Sequence, residues 1–196
     1  GTTVVNSTDN IIMSMYVGTV AVGIYSNYSM IIRIIQNTMS NLLGSFTASI
    51  GNHALSVQSG ERYLLFKKLQ FANMWLAVFC TSSLYLLLNP FIQVVWGEEL
   101  VFSKDVVFIL CINFFLFSSR AVNGAFSNAS GMFRYDRVRP LIEAALNLII
   151  SVVLAERIGV AGVFLGTIIS SALTVWWREP YLLYTKLFNK KLKGYF

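Results

Sequence analysis

The chain has 196 residues, 56% of them hydrophobic and only 12% charged, and a formal net charge of +6. A soluble domain carries about twice that share of charge, so the composition excludes an ordinary soluble fold. One histidine and two cysteines leave no basis for His-rich metal or proton-relay chemistry, or for a disulfide framework.

The apolar stretches lack the roughly ten-residue alternation of a membrane barrel. The fold class expected is therefore an all-α membrane protein, a bundle of about six transmembrane helices. Cys80 and Cys111 sit in apolar runs and read as buried thiols. His53 lies in a polar stretch and reads as a solvated loop residue. The basic residues cluster beside the apolar runs, which points to anionic lipid head groups as counter-ions and not to nucleic acid. No cofactor and no metal are implied. The chain lacks an initiator Met and begins in a segment that already looks helical, so it reads as a fragment of a longer protein.

Taken in order, the predicted spans cover about 2–17, 24–51, 69–95, 106–130, 140–155 and 160–177. A basic cytoplasmic tail follows at 186–196. The first span carries Asp9, its only acid. A loop, GTVAVG, separates it from the second. The second span has a polar stripe at helical period through Ser29, Arg33, Asn37, Ser40 and Gly44. Such a stripe suits a water-filled cavity. Its smaller residues could instead seat a neighbouring helix. The third span is sparser in polar residues, which makes it peripheral, and carries Pro90 near one end. An acidic loop, GEELVFSKD, comes next.

The fourth span holds Arg120 near its middle. Asn113, Arg120, Asn123, Gly124, Ser127 and Gly131 fall on one helical face. A mid-membrane arginine costs on the order of 2.5–3.5 kcal/mol, so it must face protein or water, and it is usually functional. The plainer alternative is a structural arginine bonded to backbone carbonyls. The fifth span starts at Pro140, a natural first helical position, and spaces Glu143, Asn147 and Ser151 at i, i+4. Glu143 is placed to pair with Arg139. The sixth span presents Gly162, Gly166 and Ser170 as a small-residue packing face, and Trp176 with Trp177 closes it at the interface.

Of the fifteen Lys and Arg, eleven fall in one alternating set of connections. Lys104 and Arg157 fall in the other, and Arg33 and Arg120 lie inside spans. Positive charge marks the cytoplasmic side, so both ends are expected inside. Asp9 and Arg33 each lie about ten residues from the first outer loop, a similar depth at about 1.5 Å per residue. They could form a buried pair, which lowers the cost of both charges. Alternatively, Arg33 faces an anionic cargo and Asp9 binds a cation or proton.

Several motifs resemble a known family. The run Asp9-Asn10-Ile11-Ile12 followed by Val22-Gly23-Ile24-Tyr25-Ser26-Asn27-Tyr28 is similar to the start of the second half of bacterial polysaccharide flippases. These belong to the multidrug/oligosaccharidyl-lipid/polysaccharide exporter superfamily. Gly51-Asn52, the stretch Gly131 to Arg137 with Pro140, Asn147-Leu148 with Ser151, and Gly159 to Val163 with Gly166-Thr167 continue the match. The resemblance implies one lobe of a two-lobe transporter, with the N-terminal lobe outside this sequence. The implied activity is flipping of an undecaprenyl-pyrophosphate-linked glycan across the bacterial cytoplasmic membrane by alternating access. The substrate-binding candidates are Arg33, Arg120, Asn37, Asn123 and Ser127. Arginine suits the role because its planar fork bonds phosphate oxygens and stays charged. Asp9 is the ion-coupling candidate. A cation-coupled multidrug exporter of the same superfamily is the alternative, although a cavity with one Asp and two Arg favours an anionic cargo. A membrane-embedded enzyme is disfavoured, since Glu98-Glu99 is the only paired carboxylate and has no base beside it.

Overall fold

Long runs of Leu, Ile, Val, Phe and Ala form helices whose backbone polar groups are satisfied within the segment. The computed structural model describes residues 2–54, 59–132 and 138–189. Its helices are α1 (Thr2–Tyr16), α2 (Thr19–Ala54), α3 (Ser59–Trp96), α4 (Lys104–Ala129), α5 (Arg139–Ile158) and α6 (Val160–Leu187). One short 3-10 turn, Glu98–Leu100, interrupts the α3–α4 connection. No strand occurs among the described residues. Among the described residues three helices, α3, α4 and α6, are long and apolar enough to cross a membrane.

The helices outrun the predicted spans. α2 begins at Thr19, so the GTVAVG loop shrinks to a turn at Gly18, where φ is +114°. α3 begins at Ser59 and α2 continues to Ala54, which puts the backbone of His53 in a helix and not in a loop. α5 runs to Ile158, leaving Gly159, φ +60°, as the turn into α6. α6 continues ten residues past Trp177 to Leu187. For α3, α5 and α6 the reason is shared: Glu61 with Arg62, Glu156 with Arg157, and Arg178 with Glu179 are good helix formers at the ends of apolar runs, so these helices persist where hydropathy falls. Thr19–Gly23 holds no such residue, and there the apolar run continues into α2. Lys186 and Phe188, expected in the tail, belong to this packed end, and Phe188 is buried against Phe66 and Phe126. The rest of the tail, 190–196, and most of the GMFRYDR turn, 133–137, lie outside the described residues. Gly131, φ +65°, follows the end of α4 as expected of a C-cap.

Besides a small cluster of Ile12, Ala155 and Val163 between α1, α5 and α6, two larger cores stack along the bundle. One joins α1, α2, α3 and α4 near the Gly18 turn through Met13, Tyr28, Leu88, Ile92 and Phe114. The other gathers Phe66, Phe126, Tyr184 and Phe188 at the opposite end. Tyr28 ties the α3–α4 connection to α2. Its hydroxyl donates to Asn89 Oδ1 (2.7 Å) and accepts from the Phe102 backbone N–H (2.9 Å), while Asn89 Nδ2 donates to the Phe102 carbonyl (3.0 Å). Outside, α3 exposes Phe71 and Val94 at 75% and 86% of their surface. A contiguous apolar exterior of this kind needs lipid or a partner against it.

α4 breaks at Ser119–Arg120. The break frees the Ser118 and Ser119 carbonyls, and α3 satisfies them. Asn73 Nδ2 donates to both (3.0 and 3.2 Å), and Gln70 Nε2 donates to Ser119 (3.2 Å). Replacing Asn73 with leucine leaves buried carbonyls short of donors and is expected to cost about 1–3 kcal/mol. Thermal unfolding in detergent checks this, and an unchanged midpoint would show that Gln70 alone suffices.

α5 and α6 make the closest helix contact. A Cβ on Gly162 would overlap the Leu154 backbone, and one on Gly166 would overlap Ser151. The small-residue face of α6 therefore seats α5. Gly44, the corresponding residue on α2, faces open space.

Candidate functional site

A cavity of about 290 Å³ lies between α1, α2, α4, α5 and α6. α3 contributes nothing to its lining, in keeping with a peripheral helix. Its charged lining comprises Arg33, Arg120 and Arg139 against Asp9 and Glu143.

Depth along the helices sorts these groups into two layers. Asp9 lies seven residues before the end of α1, and Thr167 seven residues after the start of α6. They meet near the Gly18 end, where Thr167 Oγ1 donates to Asp9 Oδ2 (3.0 Å). Asn147 Nδ2 donates to the same hydroxyl (2.9 Å), and Ser151 Oγ donates to the Val163 carbonyl (3.1 Å). Asp9 is 3% exposed and Asn147 fully buried. Asp9 Oδ1 and Asn147 Oδ1 are buried with no hydrogen-bond partner among the described residues. Buried acceptors are rarely left so. Two of them, one on a carboxylate, suit a proton or a small oxygen-preferring cation. No cluster of three or more His, Cys, Asp or Glu that could hold a metal occurs among the described residues.

The Asp9–Arg33 pair does not form. Arg33 lies fourteen residues into α2, because that helix starts at Thr19. The offset from Asp9 is therefore about 10 Å along the axis. Arg33 Nη2 donates instead to Ser29 Oγ (2.9 Å), one turn back.

The second layer lies toward the Arg139 end. Arg120 is held by Glu179 of α6 in a two-point ion pair, Nε to Oε2 (3.0 Å) and Nη2 to Oε1 (2.7 Å). Arg139 Nη1 bonds the same Oε1 (3.1 Å). The bare-carbonyl reading of Arg120 thus gives way to a carboxylate partner. Glu143, expected beside Arg139, accepts from Ser171 Oγ (3.1 Å).

Three of the six predicted site residues, Asp9, Arg33 and Arg120, line the cavity, and Asn37, Asn123 and Ser127 do not. The α4 break interrupts the helical phase, so Asn113 and Arg120 face the cavity while Asn123 is buried away from it and Ser127 is half-buried. On α2, Tyr25, Ser29, Ile32 and Gln36 turn inward, and Asn37 is left on the exposed flank. The sequence reading missed Glu179 and Thr167 as site residues. Glu179 was set beyond the sixth span by the two tryptophans. An arginine at mid-helix calls for an acid, and that was the signal available. Thr167 was noted only as part of a motif.

The geometry defines an all-helical bundle with a charged internal cavity and an apolar exterior. Comparison with protein-family models, with curated proteins and with solved structures finds no match to this chain.

Proposed function

We propose that this chain is a six-span lobe of a membrane transporter that flips a lipid-linked oligosaccharide by alternating access, with its other lobe outside this sequence. The observation that carries the reading is the charged cavity inside an apolar-faced bundle, with Arg33, Arg120 and Arg139 on its wall beside Asp9 and Glu143. The planar guanidinium fork bonds diphosphate oxygens at two points and stays charged. The size, about 290 Å³, suits a diphosphate with little of its glycan. The rest of the cargo then lies in a cleft completed by the other lobe. The exposed polar flank of α2, Arg33 and Asn37 with Ser40, faces that cleft in this reading.

Asp9 with Thr167 and Asn147 is the coupling site in this reading, taking a proton or small cation. The Gly18 end is the outer face and the Arg139 end the cytoplasmic face, in line with the basic connections.

Arg33 tests the reading, because no carboxylate holds it among the described residues. In proteoliposomes with the full-length protein, Arg33→Ala is expected to slow flipping of an undecaprenyl-diphosphate-linked oligosaccharide about 10–100-fold. That range corresponds to the ~1.5–3 kcal/mol of a charged hydrogen bond. Arg33→Lys should recover part of it. A wild type that moves no such lipid would sink the proposal.

A further inference from the structure

We infer that the Arg139 end of the bundle carries a hinged gate. The second half of α4, Ala121–Ala129, and the end of α6 swing together about two hinges, and the Arg139–Glu179 bond is the latch. One hinge is the α4 break at Ser119–Arg120. The other is Ala172–Trp176, where α6 widens into a π turn. The gate governs how the cavity opens at that end and does not depend on which cargo enters it.

The two larger cores divide α4 and α6 at these irregular points. Before the break, α4 places Val107, Leu110 and Phe114 in the core near Gly18. After it, Val122 and Phe126 belong to the core near Phe188. α6 divides likewise, with Phe164 in the first core and Leu183 and Tyr184 in the second. Asn113 Nδ2 donates to the Phe164 carbonyl (3.1 Å), which sets the two helices in register. From that bond the break lies six residues on along α4, and the π turn begins eight residues on along α6. Interrupted backbone ladders and π turns are where helices bend.

Packing changes across the same line. Before the π turn, α6 is locked to α5. Gly162 and Gly166 leave no room there for a Cβ, and Ser171 Oγ donates to Glu143 (3.1 Å). The π turn starts at the next residue, Ala172. Beyond it, two contacts tie the ends of α4 and α6 to each other. These are the two-point pair of Arg120 with Glu179, and Phe126 against Phe188 with ring centroids 6.3 Å apart. The two ends therefore move as one body, and a few residues at each hinge absorb the change. Asn73 of α3 sits at the pivot. By donating to the Ser118 and Ser119 carbonyls it keeps them satisfied as the second half of α4 tilts.

Arg139 Nη1, on α5, bonds Glu179 Oε1 (3.1 Å) from outside the swinging body. A swing away from α5 breaks that bond. Arg120 and Trp176 at the hinges line the same cavity as Arg139 and Pro140, so the swing widens its Arg139 end.

The test is the distance between paired spin labels in the full-length protein in nanodiscs, with its native cysteines replaced by alanine. Lys186→Cys on the swinging end and Leu141→Cys on α5 place labels at exposed positions. The wild-type latch should give mainly the shorter distance, and Arg139→Gln should raise a longer population at least about fivefold. Lys186→Cys with Asn128→Cys, both on the swinging body, should keep one distance in both backgrounds. A single Lys186–Leu141 distance that Arg139→Gln leaves unchanged would overturn the gate. So would equal broadening of both pairs, since that is fraying of the helix ends and not a rigid swing. If Arg139→Gln is not monodisperse, Arg139→Lys serves. It keeps the charge on a shorter, single-point donor, so a smaller rise is expected, and no rise overturns the inference.

Discussion

Replacing Asp9 with asparagine is expected to abolish the response of transport to a cation gradient. Asparagine keeps the size of the side chain and can still accept from Thr167 Oγ1 through its carbonyl. It removes the charge that makes Asp9 Oδ1 a ligand. That oxygen is buried and unpartnered among the described residues, as is Asn147 Oδ1, and both belong to one network through Thr167. A cation or proton seated there links α1, α5 and α6, which is how occupancy would bias one conformation over another. Coupling free energies between such sites run to about 1–3 kcal/mol, or about 5–150-fold. The measurement is flipping in proteoliposomes with and without an imposed sodium or proton gradient. The ratio should fall to one in Asp9→Asn. Thr167→Val, which keeps the shape and loses the bridging hydroxyl, should weaken the ratio without abolishing it. A full gradient response in Asp9→Asn would remove Asp9 as the coupling group.

Gly166→Leu is expected to disrupt the α5–α6 packing and with it the cavity wall. A Cβ at Gly166 would overlap Ser151, including its backbone nitrogen and Cα. A flexible side chain could swing aside, but backbone cannot. The two helices must separate, and they carry Asn147 and Thr167, joined by a hydrogen bond and proposed above as coupling residues, apart. Overpacking costs about 1–3 kcal/mol and occasionally more, and this site belongs at the upper end. Thermal unfolding in detergent should show a clear drop in midpoint. Ser151→Gly added to Gly166→Leu should not restore it, since the clashing backbone remains. Gly23→Ala serves as the control: a Cβ there meets nothing within 4 Å. Removing a flexible glycine from a helix stabilises by about 0.5–1 kcal/mol. Equal behaviour of the two variants would refute the packing account.

Much of the fold was legible because helix formation in an apolar chain is a local property. The turns at Gly18 and Gly159 and the packing face of Gly162 and Gly166 follow from residue type and spacing. The ends of the helices were less legible. Hydropathy marks where a segment is apolar, whereas helix propensity decides how far it continues, so Arg178–Leu187 was misplaced; Thr19–Gly23 was misplaced because its small uncharged residues read as a loop. That error reached the site. Five residues at the start of α2 moved Arg33 out of reach of Asp9, and the extension of α6 brought Glu179 to Arg120.

The amino-acid sequence by itself determined an all-helical chain with long apolar runs and a few charges, Asp9, Arg33 and Arg120, set inside them. Only the tertiary structure decided which charges meet. Arg120 and Glu179 are 59 positions apart, and Asp9 and Thr167 are 158 apart. No periodicity spans such distances. Their contact depends on helix depth, on the break at Ser119–Arg120 and on the π turn before Glu179, so it is set by how separate helices align and not by the residues of any one segment.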